Sequence, residues 1–569
     1  LDVITHDVLI LGTGLAGLRA AIEALRVGKD ISVGIISKVH LMRSHSVAPE
    51  GGAAAVLYEG KGDSFEQHAY DTIKGSDFLA DQDVVERYVK IFPEEILQLE
   101  HWGCPWSRNE DGTIAFRLFG AHEVPRTVFA EDRTGFFLMR TLYDTLLKFD
   151  NFERYDEYIG LSLIIENNRF GGLLAMDKNS GEYVVFVAKS IVIATGGLGR
   201  LWEFTTNAYT TTGDGFAIAL RAGIPLKDME FVQWLPTCMV PYGIPATEAL
   251  RGHGAILLNS RGERFMKRYA PSKMELAARD IVSRAMMIEI KEGRGLKGPG
   301  GMDCLMLDAR PVGEERLLTI YNTFVENARE LLGIDPLEEL VPVRPAAHYA
   351  MGGIDVDIDL KSSIPGIFAA GEVACPGFDG ANRLGSNSLP LCLATGRVAG
   401  KNAAIFATKR SMPEISQDTV NREVKRYENL LKVDGSESLY TLKKKLNRVM
   451  EEYVGIFRNR EGLIRALEEI RQIKRLYCKD MRIEDTSKVF NTEFVNAIEL
   501  GFMLDVAEVI ALSALKREES RGAHYRTDFP KRDDERWLKH TIVQRKDGEL
   551  AVFYRPVRIT KWNPEDRRY

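Results

Sequence analysis

The chain has 569 residues, 45% of them hydrophobic and 27% charged, with a mean hydropathy of -0.16. That is a globular profile, with length for about three or four structural units. Its net charge of -6 lacks the basic footprint of a nucleic-acid binder.

No apolar run approaches the ~20 residues that cross a bilayer. The N-terminus shows no basic region followed by an apolar stretch and a small-residue cleavage site. Membrane attachment is therefore expected to come through a partner.

The run Asp7–Leu11 predicts a buried strand, because it is short and almost wholly apolar. It leads into Gly12, Gly14 and Gly17, then Ala20, Ala21, Ala24 and Leu25 at helical spacing. Ile31–Ile36 predicts a second strand, which completes a β-α-β unit. Ser190–Ala194 predicts another strand, ending in Thr195-Gly196-Gly197. Beyond Lys227 the pattern is irregular and mixed. Near Val341 it returns to glycine-rich strand–turn–helix text, up to about Lys401.

Asp418 to Cys478 predicts amphipathic helices. Val424, Tyr427, Leu430 and Leu431 share one face, and Leu442, Leu446, Val449, Met450 and Tyr453 share another. The last fifty or so residues, polar and broken by Trp and Pro, predict a wrapping tail. The expected fold class is α/β: a Rossmann-like nucleotide-binding domain (1–228 and 345–405) with an inserted α+β domain (229–344). A helical bundle domain (406–515) and a C-terminal tail (516–569) follow.

Six cysteines, at positions 104, 238, 304, 375, 392 and 478, include no C-x-x-C pair. They read as reduced core thiols, with no metal site expected. An iron–sulfur cluster needs organised thiolates, so electrons are expected to enter or leave through another polypeptide.

Gly12-Thr13-Gly14-Leu15-Ala16-Gly17 lies between a predicted strand and a predicted helix. Glycines there permit the tight turn, and the helix N-terminus faces a pyrophosphate. The second strand runs into Ser37-Lys38, not the acid that usually grips an adenine ribose, which argues against resident NAD. Three further glycine-rich elements occur: Ala194-Thr195-Gly196-Gly197, Thr212-Gly213-Asp214-Gly215 and Gly371-Glu372. FAD is long enough to touch them all. Asp214 and Glu372 are candidate acceptors for ribose or ribityl hydroxyls, or simply turn carboxylates.

With these residues in view the text becomes familiar. Ser37-Lys38, then Met42-Arg43-Ser44-His45-Ser46, then Glu50-Gly51-Gly52 resembles the flavoprotein subunit of the succinate dehydrogenase and fumarate reductase family. So do HAYDTIKGSDFLADQD from His68, LNSRGERFMKRYAPSKMEL from Leu258, HYAMGG from His348, ANRLGSNSL from Ala381 and ESRGAHYRTDFPKRDDERWLKHT from Glu519. The resemblance spans essentially the whole chain. It implies an FAD domain interrupted by a mobile capping domain, then a helical domain and a tail.

The resemblance also implies site residues. FAD is expected at Gly12, Gly14, Ala16, Gly17, Ser37, Lys38, Ser44, Gly51, Gly52, Ala194, Thr195, Gly196, Asp214, Glu372, Arg383, Ser388 and Leu389, linked covalently through His45. A small dicarboxylate is expected against Gly51, Phe119, Thr247, His348 and Arg383, since a guanidinium forks onto a carboxylate. Arg284 is expected as the proton-transfer arginine, with Glu248 and Arg251 relaying protons to it. Read without the resemblance, His45 is a loop histidine and Arg284 a surface helix arginine.

The implied reaction is hydride exchange between flavin and a four-carbon dicarboxylate, succinate to fumarate or the reverse. The implied partners are an iron–sulfur subunit and membrane-anchor subunits, which would hold the chain in the cytoplasm on the inner face of the membrane. Two alternatives stand beside it: an aspartate oxidase-like flavoenzyme, and a non-catalytic FAD-binding electron-relay subunit.

The sequence departs from the family pattern in three places. Leu235 stands in Trp234-Leu235-Pro236-Thr237 where the family usually has a carboxylate-binding His. Glu50 replaces a usual Gln, and His253 a usual Glu. These changes bear on substrate and efficiency, while the FAD site and fold stay as expected.

Overall fold

The computed structural model describes residues 1–28 and 30–569. Asp2–Leu11 is a central strand of a seven-stranded sheet. Its half Val8–Leu11 is buried, as a parallel strand covered on both faces must be. It pairs in parallel with Val33–Ser37 on one side and Tyr183–Ile193 on the other, with Leu9 opposite Gly34 and Ile191. Phe152–Asp156 extends the parallel edge. The first half of Tyr183–Ile193 pairs antiparallel with Arg169–Asp177, while its end pairs in parallel with Ile367–Ala369.

The helix Leu15–Val27 lies along Ser388–Thr408, so the nucleotide-binding part is assembled from distant stretches of chain. Glycines allow the close approach. A Cβ on Gly396 would sit 2.4 Å from Ala16 O, and one on Gly400 2.2 Å from Ala20 O.

A second sheet, of six strands, holds Val232–Met239 and Asp303–Asp308 on either side of Val341–Ala350. With the helix Arg279–Glu289 it encloses a separate apolar core around Phe265, Leu305, Leu307, Phe324 and Val343. This is the cap over the cleft. Val341–Ala350 runs unbroken across the boundary expected at 344, and Ser388–Thr408 across that at 405.

Helices Leu439–Tyr453, Arg460–Lys479 and Thr492–Lys516 form the bundle. The third is apolar on nearly every face and buried along most of its length, the pattern of a core helix. Trp202 anchors the bundle to the nucleotide-binding part by donating its indole N–H to Met450 O and Val454 O, at 3.1 and 3.2 Å.

The tail is more regular than its sequence suggests. Lys539–Lys546 and Glu549–Pro556 form a hairpin, and the first strand also pairs with Leu226–Lys227. The outer strand is mostly exposed, so the alternation that would reveal it is weak. Further on, the chain is clamped by Gln82, whose Oε1 accepts from the N–H groups of Thr560, Lys561 and Trp562.

Candidate active site

The glycine turn forms one end of a long cleft between the seven-stranded sheet and the cap. Gly12 has φ +108°, and a Cβ there would lie 2.2 Å from Ala194 O. A Cβ on Gly17 would lie 1.9 Å from Gly12 O. Gly17 therefore packs helix onto strand and does not line the cleft, whereas Gly12, Gly14 and Ala16 do. Ser37, Ala194, Thr195, Gly196, Ser388 and Leu389 join them along the wall. The Thr195 hydroxyl is buried without a hydrogen-bond partner among the described residues.

Glycines that leave the backbone bare, a helix N-terminus and a waiting hydroxyl suit a dinucleotide. Ser44, Gly51 and Gly52 line the same cleft, so these residues fit FAD.

Lys38 and Asp214 line the cleft as expected, but mostly serve each other. The Lys38 ammonium donates to Asp214 Oδ2 at 2.9 Å, Glu499 Oε1 at 2.7 Å and Thr212 Oγ1 at 3.0 Å. Glu499 comes from the bundle, so this ion cluster ties the bundle to the nucleotide site. Glu372 lies against Gly197 and accepts from the Ala350 N–H at 2.9 Å. Burial pushes its carboxyl up to about 7.

His45 lines the cleft. Its Nδ1 accepts from the Ala208 N–H at 3.4 Å. Burial, then the Arg200 charge, lowers its pKa to about 4, so the ring is a neutral imidazole.

The far end of the cleft is cationic. Arg383 and Arg279 both line it, with His348. Arg383 sits over the Tyr349 ring, its guanidinium carbon 4.2 Å from the centroid. Burial and then Arg279 lower the Arg383 pKa to about 10. His348 is held well below its usual value by burial, Arg279 and Arg383. Its Nδ1 is 2.7 Å from Thr206 Oγ1, which accepts from Asn207 Nδ2 at 3.2 Å. The Thr206 hydroxyl therefore orients the neutral His348 ring. Phe119 packs its ring against Gly51, where a Cβ would be 2.8 Å from Phe119 Cζ. Thr247 and Leu235 complete the lining.

Arg284 is not part of this arrangement. Its Nη1 donates to Gly522 O at 2.6 Å and its Nη2 to Asp280 Oδ2 at 3.0 Å, outside the cleft. The arginine that enters the cleft is Arg279, at the start of the same helix. Five residues on a helix of 3.6 per turn separate the two side chains by about 140°, so only one can face the site.

Arg279 Nε donates to Glu248 Oε2 at 2.6 Å and Nη1 to Gln233 Oε1 at 3.0 Å. Gln233 Nε2 also donates to Arg383 O at 2.7 Å. One buried amide thus brackets both arginines, a role the sequence gave no sign of.

Glu248 Oε1 accepts from the Gly120 N–H at 2.9 Å. Burial acts against its charge, but Arg279 and Arg251 win and lower its pKa to about 2. Arg251 stands behind it, outside the cleft lining, with Nη2 3.7 Å from Glu248 Oε2. Of the other departures, Glu50 lines the cleft, raised to about 8 by burial and Asp132. His253 does not line it. Its Nδ1 is 2.5 Å from Tyr321 OH, so it does not stand in for the histidine that Leu235 replaces.

A glycine-turn nucleotide cleft that ends in buried arginines under a cap defines an FAD-binding flavoprotein. Residues 7–389 match the FAD binding domain family, and 443–569 match the family described as fumarate reductase flavoprotein C-term. The chain belongs to the fumarate reductase and succinate dehydrogenase flavoprotein family.

It is 45% identical to a fumarate reductase flavoprotein subunit of Mycobacterium tuberculosis, over 99% of both chains. It is 39% identical to a succinate dehydrogenase flavoprotein subunit of Rickettsia bellii, over 99% of this chain and 97% of that one. A solved structure of an E. coli quinol fumarate reductase variant superimposes with a TM-score of 0.96 at 41% identity, covering 100% of this chain and 99% of that one.

Proposed function

We propose that this chain interconverts fumarate and succinate as the flavoprotein subunit of a larger redox complex. The observation that carries the reading is the convergence of Arg279, Arg383 and His348 on one end of the FAD cleft. Two buried guanidiniums lining one end of a cleft are stabilised by an anion between them. Family membership names that anion as a dicarboxylate.

Arg383 and His348 hold one carboxylate. Thr247 meets the other beside Leu235, and Phe119 covers the carbon chain. FAD, when bound, supplies or accepts the hydride. Addition of hydride to one alkene carbon leaves a strongly basic carbanion at its neighbour. Arg279 gives that carbon a proton and recovers one through Glu248 and Arg251. Glu248, held ionised by both arginines, is suited to pass it. In the succinate direction the same groups take the proton away.

We also propose that His45 bonds covalently to the flavin, supported by its position in the cleft and its neutral ring. The electron partner is an iron–sulfur subunit, and anchor subunits hold the assembly on the inner face of the membrane. No helix among the described residues is long and apolar enough to cross a membrane.

The deciding experiment is fumarate-dependent oxidation of reduced viologen by the FAD-loaded full chain. Turnover is expected; no turnover with any dicarboxylate ends the reading. In-gel flavin fluorescence after denaturation is expected at the chain's mass, and its absence from wild type removes the His45 linkage alone.

A further inference from the structure

The helix that carries Arg279 is tied down from an unexpected direction. Asp280, the next residue, is buried and accepts from Arg567 at 3.1 Å through Oδ1 and 2.7 Å through Oδ2. Arg567 Nη2 also lies 3.1 Å from Asp77 Oδ2, in the nucleotide-binding part. One guanidinium thus spans two carboxylates from opposite sides of the cleft. Asp77 takes further bonds from the Gly522 N–H and Arg532 Nη1, both at 2.8 Å. Asp280 takes one more from Arg284.

The tail approaches from a fixed point. Its backbone is clamped by Gln82, several residues before Arg567. Beyond Arg567, the buried Tyr569 joins the apolar core of the cap, with Lys74 Nζ 5.2 Å from its ring centroid. The tail is therefore anchored to one part of the molecule and ends against the other. Each carboxylate is held below its ordinary pKa by arginines despite burial, with Arg567 the foremost of them in both, so both are ionised at neutral pH.

We propose that Arg567 is a positioning residue for Arg279. By pairing with Asp77 and Asp280 together, it latches the first turn of the cap helix to the nucleotide-binding part and sets Arg279 against Glu248 and Gln233. This rests on the reading of Arg279 as the proton-transfer group. Misplacing such a group by about 1 Å can lower a rate ~100-fold. The groups that grip substrate, Arg383 and His348, are not held by the latch.

The test uses the full chain with FAD and the viologen–fumarate assay. In Arg567→Ala, kcat is expected to fall about 100-fold while KM changes little, FAD content is kept, and amide hydrogen exchange quickens in residues 279–289. Arg567→Lys should restore part of kcat. Asp280→Asn should lower kcat similarly, with little added by combining it with Arg567→Ala.

Unchanged kcat and unchanged exchange in Arg567→Ala overturn the latch. So does a loss that follows FAD release and a lower Tm, raises KM in step and is not rescued by Lys. If wild type reduces no fumarate, the functional reading fails instead, and the exchange measurement still judges the latch.

Discussion

Arg279 and Glu248 form a buried ion pair at 2.6 Å, one from the start of the cap helix and the other from the short helix Glu248–Gly252. Arg251 stands 3.7 Å behind Glu248. The three make a line of charge leading away from the end of the cleft where Arg383 and His348 converge.

If that line carries protons, Arg279 and Arg284 will behave differently when removed. Arg279→Ala is expected to lower kcat for fumarate by about 10²–10⁴-fold, the range of general acid catalysis. Arg284→Ala, which removes hydrogen bonds to Gly522 and Asp280 and a contact with the Tyr525 ring, should lower it far less. Steady-state kinetics of the two variants decide it. Equal losses would remove Arg279 from its assigned role.

Leu235 offers the substrate no hydrogen bond where the family usually has a histidine. A charge-assisted bond contributes about 1.5–3 kcal/mol, and 1.4 kcal/mol is tenfold in affinity. Leu235→His is therefore expected to lower KM for fumarate about 10- to 100-fold. The neighbouring Phe204, Cys238 and Ala346 are apolar or weakly polar, so Tm should be recorded alongside. An unchanged KM in a variant of normal Tm would show that substrate does not reach this wall.

Gly12 separates steric need from backbone freedom. Its φ of +108° and a prospective Cβ 2.2 Å from Ala194 O forbid a side chain twice over. Gly12→Ala should abolish FAD retention, read as flavin absorbance after gel filtration. Gly223→Ala shares a positive φ of +84° but meets nothing within 4 Å. It should only lower stability, by about 1–2 kcal/mol, with FAD kept. Full FAD retention in Gly12→Ala would contradict the tight-turn argument.

His540 predicts how stability varies with pH. It is buried on the tail strand, 2.6 Å from Asp228 Oδ2 and 3.1 Å from Asp81 Oδ1. Burial opposes its charge, but these carboxylates raise its pKa from 6.5 to about 9. Between those values the folded state holds a proton that the unfolded chain has lost. Its contribution is therefore complete below about pH 6.5 and disappears as pH rises through about 9. Thermal melts should show Tm falling over that window, and His540→Gln should flatten the fall. An equal slope in the variant would show that other groups set it.

The sequence by itself determined what is local or periodic. Gly12, Gly14 and Gly17 between strand and helix point to a nucleotide turn, because such a turn needs bare backbone at that spacing. Long motifs such as those around His45, His348 and Arg383 carried the family, and the structure brings these residues into one cleft. What the tertiary structure decided was direction and long-range pairing.

Arg279 and Arg284 sit on one predicted helix, and no local pattern says which side meets the cleft. Packing against Val232–Met239 and Val341–Ala350 settles that. Gln233 and Arg567 gain their roles from partners 46 to 490 positions away. Hydrogen bonds and ion pairs act through space over a few ångströms, so their partners are fixed only when the fold brings distant chain together.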